Sequence, residues 1–193
     1  MKRILLLLAN GFELYEASVF TDVIGWDSVY GTKNTELVTC GMNREIKSSF
    51  NHTVIANLAV DDVNAEEFDA LAIPGGFEDY SFYNDAFDES FLELIRAFHK
   101  QNKIIASICV GALPLGKSGI LTGKRGTTYN LANRYRQNQL AEFGVRVVNE
   151  PIVIEDNIIT SWNPSTAIFV AYQLLEMLTS KQNAEHIKGL MGF

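Results

Sequence analysis

The residue with the clearest chemical potential in this sequence is Cys109, which lies between an apolar run at Lys103–Ile108 and a short helical pattern. Ser107 and Gly111 stand two residues to either side, and small neighbours allow the sharp strand-to-helix turn that exposes a nucleophile. A helix that begins beneath the sulfur would stabilise a thiolate and lower the pKa of the cysteine. The pattern therefore predicts a reactive cysteine. The alternative is a small buried side chain in the core.

A cysteine nucleophile commonly works with a base, and none of the three histidines falls at the end of a predicted strand: His52, His99 and His186. This absence argues against a Cys–His hydrolase. Glu16 instead follows the first predicted strand and opens the next helix, where it could face Cys109. A protonated carboxyl would donate a hydrogen bond to the sulfur. The alternative is a helix-start glutamate that the helix dipole favours.

Two glycines follow the predicted strand Ala70–Ile73, directly after Pro74. Backbone N–H groups of Gly75 and Gly76 at this sheet edge would suit an oxyanion hole. A tight turn is the alternative.

The segment from Gly111 to Ser118 fits the phosphate-loop pattern G-x-x-x-x-G-K-[ST]. Its intervening residues are Ala-Leu-Pro-Leu, which suit a packed helical turn and include a proline that has no N–H group. Gly119 has the position of a helix C-cap, so the helix should end where a phosphate-loop helix begins. Nucleotide hydrolysis therefore ranks last among the functions considered.

The elements that must position these residues alternate between strands and helices. Continuous apolar strands such as Ile4–Leu8 and Ala70–Ile73 indicate a mostly parallel sheet that is buried on both faces. The alternation predicts a doubly wound α/β sandwich, in which ligands bind beyond the carboxyl ends of the strands. Helices are predicted at residues 16–30, 87–100, 110–118, 131–143, 163–178 and 181–191. No linker, repeat or charge block interrupts the chain, which predicts one domain over residues 1–193.

Composition narrows the classes of function. The 193 residues are 47% hydrophobic and 20% charged, as in ordinary globular proteins. A net charge of −7 without a basic cluster argues against nucleic-acid binding. Two cysteines cannot build a disulfide framework. The apolar run Ile4–Ala9 is too short for a signal peptide, and no stretch approaches the ~20 apolar residues of a membrane span. We therefore expect a cytoplasmic protein without a membrane partner.

Taken in order, the motifs resemble the ThiJ/PfpI (DJ-one) superfamily over nearly the whole chain. The resemblance rests on these segments: Ile4–Ala9 with Gly11–Glu16, Asp69–Gly76, Ser107–Ala112, Gly119–Thr128, Ile159–Ser161 and Asn163–Thr166. It implies a flavodoxin-like (Rossmann-like) three-layer sandwich and a homodimer, with no cofactor or metal. It also implies that Cys109 is the elbow cysteine and Glu16 its acidic partner. The backbone donors around the site would be Gly75, Gly76 and Val110.

Activities in the superfamily include glyoxalase, deglycase, amidase, protease and isonitrile hydratase reactions, besides oxidation sensing and chaperone-like roles. This sequence departs from the protease-like members, because Val110 stands where they carry a histidine. Tyr129 stands where many other members carry one, and a phenol is a poor base at neutral pH. Peptidase activity is therefore not expected. Candidate pocket residues are Tyr129, Thr128 and Trp162.

The leading hypothesis is that Cys109 attacks a small electrophilic substrate while Glu16 manages the proton, in glyoxalase-, amidase- or hydratase-like chemistry. The alternative from another class is a non-catalytic redox sensor or chaperone-like stress protein that uses oxidation of Cys109. The sequence leaves the choice between enzyme and sensor open.

Overall fold

The apolar runs form the centre of the sheet in a computed structural model, which describes residues 1–193. The chain has eleven strands: β1 (Lys2–Leu8), β2 (Thr35–Gly41), β3 (Glu45–Lys47), β4 (Thr53–Ile55), β5 (Leu58–Ala59), β6 (Ala70–Ile73), β7 (Ile104–Ser107), β8 (Arg125–Gly126), β9 (Arg146–Val147), β10 (Ile152–Glu155) and β11 (Ile158–Ser161). Seven of them make one sheet in the order β10-β11-β7-β6-β1-β2-β5. Only β10 runs antiparallel in this sheet, so the predicted mostly parallel sheet is confirmed.

The helices cover both faces of the sheet, as the continuous burial of β1 and β6 requires. They are α1 (Leu14–Tyr30), α2 (Phe82–Ala86), α3 (Glu89–Lys100), α4 (Ala112–Lys117), α5 (Tyr135–Glu142), α6 (Ala167–Leu178) and α7 (Lys181–Met191). One layer consists of α1, α6 and α7, and the other contains α2 to α5. The predicted three-layer α/β sandwich is confirmed. None of these helices combines the length and the apolar character needed to cross a bilayer.

Four predicted helices begin later than expected. Two of them, α4 and α6, follow a short 3-10 turn that occupies the predicted start, and local features delay the other two. The helix predicted from residue 87 begins at Glu89, because the Asp88 side chain caps it by accepting a hydrogen bond from the Ser90 N–H at 2.9 Å. The helix predicted over residues 131–143 begins only at Tyr135. The three residues before it have positive φ angles of 51–59°, which a helix cannot contain: Ala132, Asn133 and Arg134.

The segment that fits the phosphate-loop pattern has a different geometry from such a loop. The helix α4 ends at Lys117, and Gly119 follows with a φ of +88°. The Lys117 ammonium group lies 4.9 Å from the centroid of the Phe87 ring rather than at a loop of free N–H groups. The predicted end of the helix is confirmed, and this geometry argues against nucleotide hydrolysis.

A buried carboxylate joins three elements at the end of the fold remote from Cys109. Asp27 has no exposed surface and accepts hydrogen bonds from the Thr32 backbone, the Thr32 and Thr35 hydroxyls and the Asn183 amide, at 2.6–2.9 Å. Burial alone would raise the pKa of Asp27, but these donors lower it. The network therefore ties the end of α1 to β2 and α7.

We predict that Asp27→Ala lowers the free energy of unfolding by about 3 kcal/mol, because it leaves several buried donors without an acceptor. Because the pKa of Asp27 is lowered, this difference should shrink as the pH falls below the carboxyl's unfolded value near 4. Urea denaturation at several pH values measures both effects. The exposed Asp22, on the same helix, is the control, and an equal loss in Asp22→Ala would contradict the prediction.

Candidate active site

Cys109 lies at a strained turn between β7 and α4. Its φ is +56°, in the left-handed region that a side chain makes unfavourable. Two neighbours support this backbone. A Cβ atom added to Gly111 would lie 2.7 Å from the Ile73 carbonyl oxygen, so only glycine allows the approach. The Thr128 hydroxyl donates a hydrogen bond to the Cys109 carbonyl at 2.8 Å. The sharp turn predicted from the small neighbours of Cys109 is present.

Glu16 meets Cys109 from the other side of β6. It lies in the first turn of α1 and has no exposed surface. One carboxyl oxygen accepts a hydrogen bond from the Gly75 N–H at 2.7 Å, whereas Oε1 has no nitrogen or oxygen partner. The Cys109 thiol and the Glu16 carboxyl interact directly, and each shifts the pKa of the other.

Gly75 lies at the centre of this arrangement. A Cβ atom at residue 75 would lie 2.9 Å from Glu16 Oε2, 3.0 Å from the Val110 nitrogen and 3.1 Å from the Cys109 Cβ. The segments that follow the carboxyl ends of β1, β6 and β7 therefore meet around a residue without a side chain. This close approach brings the predicted acid and the predicted nucleophile together.

The ionisation of the pair differs from the sequence-based expectation. The pKa of Glu16 is raised to about 8, because burial and, after it, the charge of Glu13 raise it more than the hydrogen bonds from the Gly75 N–H and the thiol lower it. Burial also raises the pKa of the Cys109 thiol, and the Glu16 charge adds to this, although the Val110 N–H lowers it.

The expected lowering of the Cys109 pKa by a helix N-terminus is therefore wrong. The helix that follows is only six residues long, and the side chain of Cys109 is almost fully buried. Since two neighbouring buried acids cannot both be charged, an ionised sulfur requires a protonated Glu16.

The backbone donors at the site are fewer than predicted. The Gly75 N–H is bound to Glu16 and is not free for an oxyanion, which corrects the expectation from the sequence. The Val110 N–H points to the sulfur, and the Gly76 N–H has no backbone partner and borders the cavity. Of the three predicted donors, only the Gly76 N–H is therefore free for a substrate while the Val110 N–H is engaged by the sulfur.

Cys109 opens on a cavity of about 720 Å³ at the carboxyl ends of the strands. Its aromatic wall contains Phe77, Tyr129 and Tyr135, and its charged groups are Glu13, Glu78, Asp79 and Arg136. Arg136 forms an ion pair with Glu78 at 2.6 Å, and its guanidinium carbon lies 4.8 Å from the Tyr83 and Tyr135 ring centroids. The cavity is thus large enough for a small organic molecule and has an aromatic and an acidic side.

Of the three predicted pocket residues, only Tyr129 lines the cavity. Thr128 is fully buried and supports the backbone of Cys109, and Trp162 lies outside the cavity wall. No histidine lines the cavity. Several wall residues were not predicted from the sequence, among them Glu13 and Arg136. Glu13 carries a readable signal, since it stands three residues before Glu16, whereas nothing local connects Arg136 on α5 with Cys109.

Comparison with known proteins agrees with this geometry. The model of the DJ-1/PfpI family matches residues 2–177. The chain belongs to the DJ-1/PfpI family. The resemblance seen in the sequence motifs is therefore confirmed.

Among DJ-1/PfpI relatives, the chain is similar to the "Glutathione-independent glyoxalase DJ-1" of Schizosaccharomyces pombe, with 30% identity over 188 residues, covering 94% of this chain and 93% of the relative. It is also 29% identical over 162 residues to "Deglycase PYRAB04690" of Pyrococcus abyssi, covering 84% of this chain and 90% of that protein. The crystal structure of Drosophila melanogaster DJ-1beta superposes with a TM-score of 0.84 at 25% identity, covering 98% and 97% of the two chains. The flavodoxin-like fold predicted from the resemblance is confirmed.

We predict that Gly75→Ala lowers the free energy of unfolding by about 1–3 kcal/mol, since the new methyl group would press on Glu16 and on the Val110 nitrogen of this DJ-1/PfpI site. Gly25→Ala is the matched control, because a Cβ there meets nothing within 4 Å and favours the helix α1. Urea denaturation compares the two variants. Equal stability of Gly75→Ala and the wild type would contradict the close packing of Glu16 and the Val110 nitrogen around residue 75.

Proposed function

We propose that this protein is a cysteine-dependent, glyoxalase-like enzyme that converts small 2-oxoaldehydes into 2-hydroxy acids. The observation that carries the proposal is a fully buried Glu16 carboxyl beside Cys109, at the base of a cavity of about 720 Å³. The names of the S. pombe glyoxalase and the P. abyssi deglycase support this choice over amidase or hydratase chemistry. The absence of a histidine from the cavity wall argues against a peptidase.

The reactive form of the pair has lost one of its two protons. When that form holds its remaining proton on Glu16, the sulfur is ionised and can add to the aldehyde carbon. A C–S bond forms, the carbonyl π electrons move to oxygen, and the Gly76 N–H stabilises the negative charge, joined by the Val110 N–H once the sulfur has lost its own charge. Glu16 then gives its proton to that oxygen, which yields a hemithioacetal. Rearrangement to a thioester and attack by water release the 2-hydroxy acid and regenerate the thiol, so no external oxidant is consumed.

We also propose that the enzyme is a homodimer in a reducing compartment. Large apolar side chains are exposed at Tyr15, Phe50, Ile55 and Phe77, which supports a homodimer that covers some of this surface. Both cysteines are free, which fits a reducing compartment such as the cytoplasm.

A second candidate function is redox sensing. Glu16 Oε1 lacks a nitrogen or oxygen partner, and a protonated carboxyl in this position would donate a hydrogen bond to an oxidised sulfur. Peroxide would supply the oxygen atoms and leave as water. If the protein is a redox sensor, Cys109 acquires two oxygen atoms and becomes a sulfinate, while the turnover of 2-oxoaldehydes stays at background.

We predict that the wild type forms lactate from methylglyoxal and that Cys109→Ser abolishes this activity. We expect Glu16→Gln to lower kcat/KM at least about 100-fold, in the range usual for proton-transfer groups. Because the reactive form has lost one proton, kcat/KM should rise as the pH increases through about 8, the pKa of Glu16. Lactate is measured by chromatography, and the oxidation state of Cys109 by mass spectrometry.

Background activity of the wild type would contradict the glyoxalase proposal. If peroxide then gave a sulfinate at Cys109, the result would favour the redox sensor.

A further inference from the structure

We propose that Glu13 is a second catalytic carboxyl, which carries a proton between the two reacting carbon atoms of the substrate. The inference rests on the proposed glyoxalase-like function and adds a residue that the Cys109–Glu16 pair does not supply. Once Cys109 has added to the aldehyde, a hydrogen must leave that carbon and another must arrive on its neighbour. Glu16 supplies its proton to the oxygen beside the sulfur but does not line the cavity, so a carboxyl on the cavity wall is better placed to act on the substrate carbons.

The backbone places Glu13 at the cavity wall beside the pair. The Glu13 N–H donates a hydrogen bond to the Gly75 carbonyl at 2.8 Å, and the Phe77 N–H donates one to Gly11 at 2.9 Å. These two bonds form an antiparallel bridge between Phe12 and Gly76. Residue 13 is therefore held next to the glycine around which Glu16 and Cys109 meet. Its position does not depend on a flexible loop.

The Glu13 carboxyl is half-buried but has no hydrogen-bond or salt-bridge partner in the protein. It stands at the N-cap position of α1 but makes no capping hydrogen bond, and it has no salt bridge. The other cavity carboxylates differ from it, since Glu78 is paired with Arg136 and Asp79 is exposed. Glu13 is thus a partly desolvated carboxyl that is free to contact a substrate.

The electrostatic surroundings connect Glu13 with the reacting atoms. Its charge raises the pKa of both Glu16 and Cys109, so it lies within the field of the pair. Burial raises the pKa of Glu13 itself, which brings it closer to neutral pH and makes it a better base. The other charged or titratable groups around the cavity are Glu78, Asp79, Arg136, Tyr129 and Tyr135.

The proposed step balances without a further reactant. Glu13, as a carboxylate, removes the hydrogen of the hemithioacetal carbon as a proton, and the electron pair forms a double bond to the neighbouring carbon. The former ketone oxygen takes the negative charge of this enediolate. Glu13 then returns the proton to the second carbon, while the proton of the first hydroxyl passes to the second oxygen. The first carbon is oxidised to a thioester and the second is reduced to an alcohol.

The test separates addition from isomerisation in the Glu13→Gln variant. We expect lactate formation from methylglyoxal to fall at least about 100-fold. The rate constant for alkylation of Cys109 by iodoacetamide should not fall, because the pair remains. Methylglyoxal should still protect Cys109 from iodoacetamide, because the hemithioacetal still forms. Asp22→Asn removes the same charge from an exposed site on α1 and should keep the lactate activity.

Two further readouts exclude a merely structural role. Glu13→Asp, which keeps a carboxyl, should recover part of the lost kcat. The acidic limb of the pH profile of kcat should disappear in Glu13→Gln, since the base that is protonated there is missing.

Lactate formation by Glu13→Gln at the wild-type rate would overturn the inference and leave the proposed function intact. An equal loss of lactate formation and of Cys109 alkylation would also overturn it, because Glu13 would then only maintain the pair. If the wild type itself forms no lactate, the proposed function fails and the inference fails with it.

Discussion

Two acids that are buried side by side cannot both be ionised, and the chemistry of this site depends on that constraint. A charge in a partly desolvated site is stabilised poorly by the medium, and a second like charge a few ångströms away adds a Coulomb penalty that water would largely screen. Glu16 has no exposed surface and Cys109 has almost none. The pair therefore shares its protons, and the sulfur can be ionised only while the carboxyl keeps its hydrogen. This makes a carboxyl group a proton donor at neutral pH.

The sheet supplies the positions that the constraint requires. Parallel strands end at one edge, so the segments after β1, β6 and β7 bring a carboxyl, a glycine N–H and a thiol together from residues distant in sequence. The Gly75 N–H satisfies one oxygen of Glu16, which leaves the other for the sulfur. The strained backbone of Cys109 is tolerated because Gly111 and Thr128 support it. Such strain persists where the surrounding packing over-determines the conformation.

Much of the architecture could be predicted because short stretches of sequence determine it. The apolar run at Ile4–Leu8 forms a buried strand, and the Asn163-Pro164 start forms a capping box with Thr166 ahead of α6. The start of α3 after Asp88 and the left-handed residues before Tyr135 are not predictable from the periodicity, because a single capping side chain and local backbone torsions decide them.

At the site, the motif order indicated which residues meet. The pKa of Cys109 could not be predicted in the same way, since it depends on burial by residues remote in sequence. For the same reason Arg136 was not found, and Trp162 was wrongly expected in the cavity.

The protonation state of Glu16 is the most direct test of this account. Nuclear magnetic resonance of protein labelled with ¹³C at the glutamate carboxyl carbons follows each carboxyl across a pH titration, and Glu16→Gln identifies the signal of Glu16 by its loss. The account predicts a neutral carboxyl at pH 7 that titrates with a midpoint of about 8. A midpoint near 4.5, the ordinary value for glutamate, would contradict it, because Glu16 would then be charged at neutral pH and could not donate a hydrogen bond to an ionised sulfur.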